Sequence, residues 1–170
     1  MPTNTDPTRR MTQDAFSDEH PVKTLLRDHN LVRKLADHYL NDHSEGARKQ
    51  AATQLVQAVH NLERLKETVF YPAVRRVAPN LVAHLEEESL DVDDVLAALS
   101  GMALDDARAA PLLRELIDAV LNHMRDEETQ LFPMLRHAAL DLAPIGLEMR
   151  SFEANLVHMQ ARRSDRMNRH

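Results

Sequence analysis

Two stretches of the chain, NLERLKETVFYP at residues 61–72 and NHMRDEETQLFP at residues 122–133, repeat one pattern 61 positions apart. Asn, Arg, Glu, Thr and Pro coincide in the two copies, and an aromatic residue precedes each proline. The copies differ where His123 and Glu127 of the later stretch stand opposite Leu62 and Lys66 of the earlier one. The repeat predicts two equivalent helix pairs, and these four residues decide what chemistry the pairs can support.

Apolar residues recur at helical spacing in four long segments and one later segment. Helices are predicted from Pro21 to about Ser44, from Ala47 towards Pro79, from Leu81 to Ser100, from about Asp105 to Pro133, and over roughly 145–162. Short connections place neighbouring helices antiparallel. We therefore expect an all-α protein: an up-down-up-down four-helix bundle with an additional C-terminal helix. The first and third helices also repeat, at an offset of 60, which sets His29 opposite Ser89.

The length of 170 residues suits a single domain with a sizeable core. Residues 1–19 are polar and contain two prolines, so we expect a flexible N-terminal arm. The bundle is expected over residues 20–140. Residues 141–170 are expected to form the C-terminal helix and a basic tail.

Composition excludes several classes of partner and site. A formal charge of −6 argues against binding to nucleic acid, and no run approaches the ~20 apolar residues of a membrane span. The start of the chain lacks the apolar core of a signal peptide, so we expect a cytoplasmic protein. There is no cysteine, so any metal must be held by histidines and carboxylates. The sequence leaves open whether the chain binds an unknown protein partner and whether it is a monomer or a homodimer.

His123 and Glu127 are four residues apart and share one face of a helix whose stripe is otherwise apolar. A buried imidazole beside a buried carboxylate needs a partner for both groups, and a metal ion is one such partner. A surface pair or a hydrogen-bonded core histidine is the commoner explanation of this spacing. His29 lies on the corresponding stripe of the first helix, which favours convergence of the three residues on one axis. Ferritin-like di-iron proteins need Glu-x-x-His on two helices, and no glutamate here has a histidine three residues later.

Four segments in order, LLRDHNLVRKL, ETVFYPAVR, EEESLDVDDVLAAL and NHMRDEETQLFP, together with RHAALDLAPIGLEM, resemble the hemerythrin-like (HHE) cation-binding domain over roughly residues 20–160. The resemblance implies a non-heme di-iron centre inside the bundle, used for oxygen binding, sensing, iron handling or peroxide chemistry. Carried over by position, His29, His123 and Glu127 match its ligands. Leu62, Lys66 and Ser89 stand where the family has histidine, glutamate and histidine, so the implied ligand set is incomplete.

Two interpretations follow from this depleted set. In the first, Lys66 and Glu127 form a buried ion pair that replaces the metal, there is no cofactor, and the protein is a non-enzymatic binding, sensing or stress-related module. In the second, His29, His123 and Glu127, with Asp93 as a further oxygen ligand, bind iron weakly at a mononuclear or residual di-iron site that senses, binds or reduces oxygen species. The sequence favours the first, a protein that is not an enzyme.

Overall fold

The computed structural model describes residues 20–138 and 140–169, and the predicted N-terminal arm lies outside this part of the chain. The elements are α1 (Pro21–Asn41), α2 (Glu45–Leu65), the π-helical turn π1 (Lys66–Phe70), α3 (Tyr71–Val74), α4 (Pro79–Leu99), α5 (Ala109–Asp126), the π-helical turn π2 (Glu127–Leu131), α6 (Phe132–Arg136) and α7 (Ala143–Met167). No strand occurs among the described residues. The prediction of an all-α bundle with an added C-terminal helix is confirmed. None of the described helices is both long and apolar enough to cross a bilayer.

The bundle is closed by contacts among its four long helices. α1 packs against α2 and α4 against α5, while α2 contacts α4 and α1 contacts α5. Each helix contributes an apolar stripe at helical spacing, and these stripes form the core. Its members include Leu25, Val32, Leu55, Val59, Leu85, Val92, Leu116 and Val120, all 0 or 1% exposed.

Local sequence signals explain where several helices begin and end. The Ser44 hydroxyl accepts a hydrogen bond from the Ala47 backbone N–H at 3.2 Å, which caps the start of α2. Pro21 occupies the first turn of α1, where its missing N–H is not needed. Gly101 follows α4 with a φ of 76°, the left-handed conformation with which glycine commonly ends a helix.

The two copies of the sequence repeat adopt the same irregular backbone. π1 and π2 begin at the equivalent residues Lys66 and Glu127, and each is followed by a proline at the second position of the next helix. A π turn holds more residues than an α turn, and such turns are frequent at functional sites. In the first copy, the consecutive residues Phe70 and Tyr71 are both 0% exposed. The irregular segments thus bring extra side chains to the inner face of the bundle.

The C-terminal helix lies against one side of the bundle. α7 contacts α1, α2 and π1, and Met149 is its fully buried anchor. It continues past the predicted end near residue 162 to Met167, because alanine, arginine and methionine are strong helix formers even where no packing supports them. The described residues of the basic tail therefore largely extend α7.

Candidate functional site

The centre of the bundle contains a fully buried pair of opposite charges. Lys66 Nζ lies 2.5 Å from Glu127 Oε1, and both side chains are 0% exposed. Each residue opens one of the π turns, so the sequence repeat itself brings the two side chains to facing positions. Glu63, one turn before Lys66 and 1% exposed, places Oε1 3.7 Å from the same Nζ.

The carboxylates keep Lys66 charged. Burial by itself lowers the pKa of a lysine, but the negative charges of Glu127 and Glu63 outweigh it and raise the pKa of Lys66 above its ordinary value. Burial raises the pKa of Glu63 and of Glu127, and the charge of Lys66 opposes both shifts. A single ammonium group therefore compensates two buried acidic side chains.

His123 is held by hydrogen bonds on both ring nitrogens. Its Nε2 lies 2.9 Å from Tyr71 Oη and 3.1 Å from Ser89 Oγ, and its Nδ1 lies 2.9 Å from Glu88 Oε2. Burial, followed by the charge of Lys66, lowers the pKa of His123 to about 2. The imidazole is therefore neutral at physiological pH.

His29 faces the same centre but is poorly satisfied. Its Nε2 lies 3.7 Å from Glu127 Oε1, and its Nδ1 lies 3.5 Å from Glu128 Oε1. Neither nitrogen has a hydrogen-bond partner among the described residues, although the ring is 0% exposed and stacks on Phe132 at 5.7 Å between centroids. Burial and then the charge of Lys66 lower the pKa of His29 to about 4.

A chain of hydrogen bonds joins the buried pair to the surface. Tyr71 Oη donates to Glu127 Oε2 at 3.0 Å and also contacts His123, whose other nitrogen contacts Glu88. Burial, followed by a hydrogen bond and the charge of Asp126, raises the pKa of Glu88 to about 8. The tautomer of His123 sets which atom donates in its contacts with Glu88 and Tyr71. Hydrogen bonds therefore connect partly exposed Glu88 to Glu127 through His123 and Tyr71.

The structure brings together three of the predicted ligands around the lysine. His123 Nε2 and His29 Nε2 lie 3.5 and 3.7 Å from Glu127 Oε1, the oxygen that Lys66 also contacts. Leu62 packs in the core at 3% exposure.

Asp93 belongs to another group, because its carboxylate lies with those of Glu63 and Glu67, their ligand atoms all within 4.8 Å of one another. A second such group joins His84, Glu88 and Asp126. Among the described residues these two groups have metal-ligand spacing, and neither contains His29, His123 or Glu127.

Sequence reasoning missed Glu63, Tyr71 and Glu88. The sequence shows Tyr71 as the aromatic residue before Pro72. An aromatic side chain on a helix indicates core packing more often than a buried hydrogen bond. Glu63 adjoins Leu62, and a regular stripe of Leu62, Lys66 and Val69 does not require it to face inward. Both residues are nevertheless buried.

A comparison with protein-family models finds a match to the hemerythrin HHE cation-binding domain over residues 20–135. The chain belongs to this family. The match covers α1 through π2 and almost all of α6, and α7 follows it. No curated protein and no solved structure matches the chain. The hemerythrin fold accounts for the four-helix arrangement and for the inward position of His29, His123 and Glu127, and the family is one of cation-binding bundles.

Proposed function

We propose that this hemerythrin-like domain is a non-enzymatic binding or sensing module in which the ammonium group of Lys66 takes the place of the family's metal cation. The observation that carries the proposal is the 2.5 Å contact between Lys66 Nζ and Glu127 Oε1, with both side chains fully buried. A carboxylate oxygen in that contact is already neutralised by a fixed cation, and a metal ion there would lie against a like charge.

The donor set supports the same conclusion. Where the resemblance calls for histidine, glutamate and histidine, the chain has Leu62, Lys66 and Ser89. Leucine offers no donor atom, a charged ammonium repels cations, and the Ser89 hydroxyl is already near His123 Nε2 at 3.1 Å. These residues do not fit a di-iron centre, so no oxygen chemistry is assigned to it.

The hydrogen-bond chain suggests what the centre can do without metal. Protonation or displacement of Glu88 at the surface changes the hydrogen bond at His123 Nδ1, and through Tyr71 the hydrogen bonding of Glu127. In a low-dielectric interior, polar groups linked in this way polarise one another strongly. A partner or a pH change that acts on Glu88 would therefore alter the hydrogen bonding of the buried ion pair.

A second function is favoured by one observation. Both ring nitrogens of His29 are buried without a hydrogen-bond partner in the described part of the chain, which is unusual for a polar group unless a further atom binds there. His29, His123 and Glu127 form the two-histidine, one-carboxylate donor set of mononuclear iron(II) sites. When bound, iron at these residues would supply redox chemistry with oxygen species. Lys66 would have to leave Glu127 to make room.

Iron content separates the two functions. We would express the untagged protein with added iron, measure iron per chain by elemental mass spectrometry, and compare thermal melts with and without an iron(II)-selective chelator. The metal-free proposal predicts substoichiometric iron and an unchanged melt. One iron per chain with a melt that falls on chelation would overturn it, because a ligand that binds only the native state must stabilise it.

A further inference from the structure

Three carboxylates meet on the side of Lys66 that faces α4. Glu63 comes from the last turns of α2, Glu67 from π1 and Asp93 from α4, and one oxygen of each lies within 4.8 Å of the others. None of the three stands at a position that the family resemblance assigns to a ligand. The cluster therefore has to be explained from its own geometry.

Glu63 distinguishes this cluster from an ordinary solvent-exposed group of acidic side chains. Its side chain is 1% exposed, and neither carboxylate oxygen has a hydrogen-bond partner among the described residues. Its contact with Lys66 Nζ is 3.7 Å, whereas that nitrogen is 2.5 Å from Glu127. Glu67 Oε1 is also buried without a hydrogen bond. Buried carboxylate oxygens without partners are rare because removing them from water costs free energy that a partner must offset.

Like charges at this spacing repel, and either a shared proton or a bound cation relieves the repulsion. Burial, followed by a hydrogen bond and the charge of Asp93, raises the pKa of Glu67 to about 8. A proton between Glu67 and Asp93 therefore satisfies part of the cluster at neutral pH. It leaves Glu63, on the buried side, with only the 3.7 Å ion-pair contact to Lys66, which is shared with Glu127.

We propose that Glu63, Glu67 and Asp93 bind a hard divalent cation of the calcium, magnesium or manganese class. All three donors are carboxylate oxygens, the ligands that such cations prefer, and no imidazole or thiolate takes part. The partial exposure of Glu67 and Asp93 leaves room for water to complete the coordination, while buried Glu63 anchors the inner side. The site shares no ligand with the centre formed by His29, His123 and Glu127 but borders it, because Glu63 Oε1 lies 3.9 Å from His123 Nε2.

Such a cation would join the two halves of the repeat. Glu63 and Glu67 lie in the first helix pair and Asp93 in the second, so a shared ion links α2 and π1 to α4. The charge of Lys66 beside Glu63 weakens the site relative to one with three free carboxylates. We therefore expect binding in the range of weaker carboxylate sites, micromolar to millimolar.

The test uses the full chain, stripped with a chelator and titrated with manganese, calcium or magnesium chloride. Binding is followed by calorimetry, by the electron paramagnetic resonance signal of free manganese, and by thermal melts. We expect saturable binding of one cation and a melt that rises with cation concentration.

Glu67→Gln and Asp93→Asn are the informative variants, because each removes one charged ligand and keeps the shape. Each should weaken cation binding by about tenfold or more, since affinity follows the number of charged ligands. Without cation, both variants should fold at least as stably as the natural chain, because a repulsion is removed. The matched control is Asp126→Asn in the group with His84 and Glu88, which should leave the affinity unchanged.

Two results would overturn the proposal. Absence of saturable binding of all three cations at millimolar concentration would show that a shared proton alone satisfies the cluster. Binding that survives in Glu67→Gln and Asp93→Asn but disappears in Asp126→Asn would assign the cation to the other group. The carboxylate site is read from the Glu67→Gln and Asp93→Asn variants and the proposed function from iron per chain, so failure of the one is distinguishable from failure of the other.

Discussion

Replacing Lys66 with methionine tests the buried ion pair directly. Methionine has a similar length and keeps the core filled, but it leaves Glu127 fully buried without its cation. Removing one partner of a buried pair typically costs roughly 3 to 5 kcal/mol. In Lys66→Met the loss of stability is limited because Glu127 can take up a proton and become neutral. The Tyr71 hydroxyl still contacts it.

The free-energy cost of this proton uptake depends on pH, because proton binding is linked to folding. Holding a proton at pH 7 on a carboxyl whose ordinary pKa is 4.5 costs about 3.4 kcal/mol, at 1.36 kcal/mol for each pH unit. At pH 5 the same cost is only about 0.7 kcal/mol. Burial raises the pKa of Glu127 even beside Lys66, and removing the ammonium raises it further. A carboxyl whose folded pKa is raised loses stability as pH rises, so the Glu127 part of the Lys66→Met deficit should grow from less than ~1 kcal/mol at pH 5 to at most about 3 kcal/mol at pH 7.

Urea unfolding of both proteins at the two pH values measures this difference. Lys49→Met is the matched control, since Lys49 pairs with Asp105 at 3.1 Å but both side chains are more than half exposed. It should change stability by no more than about 0.5 kcal/mol at either pH. A second variant that also carries Glu127→Gln should regain the part of the loss that Glu127 causes, while Glu63 stays without its cation. A deficit at pH 7 that is no larger than that of the control, or that does not depend on pH, would refute the buried ion pair.

Two further predictions concern the metal ligands and the docking of α7. The combined change Leu62→His, Lys66→Glu and Ser89→His restores the ligand types of the resemblance and should produce an iron centre, seen as iron per chain and a visible absorption band; no iron uptake would contradict the assigned register. Burial, followed by Asp28, raises the pKa of Glu153 to about 8, so the natural chain loses stability as pH rises from 4.5 to 8. Glu153→Gln should flatten that loss in melts recorded across this range, and an unchanged slope would argue against a partly buried, raised-pKa carboxyl between α7 and α1.

Much of the fold was determined by patterns that act locally. The helical spacing of apolar residues, the N-cap at Ser44 and the helix end at Gly101 depend only on residues close in sequence. The all-α class and the order of helices could therefore be predicted from the sequence. The repeat at residues 61–72 and 122–133 added the pairing of helices. It also placed Lys66 opposite Glu127, because equivalent residues of an internal repeat face a common axis.

The surroundings of that pair were decided only by the tertiary structure. The π turns shift the inward face, so Glu63 and Tyr71 enter the core although a regular helical stripe does not call for both. Asp93 lies one helical turn from Ser89, yet the packing of α4 on α2 brings it to Glu63 and Glu67 rather than into a group with the histidines. Sequence spacing specifies which residues share a face of one helix, whereas distances between carboxylates on different helices depend on how those helices pack. The sequence by itself therefore determined the fold and the identity of Leu62, Lys66 and Ser89 on its inner face, and packing between helices determined which acidic groups lie close together.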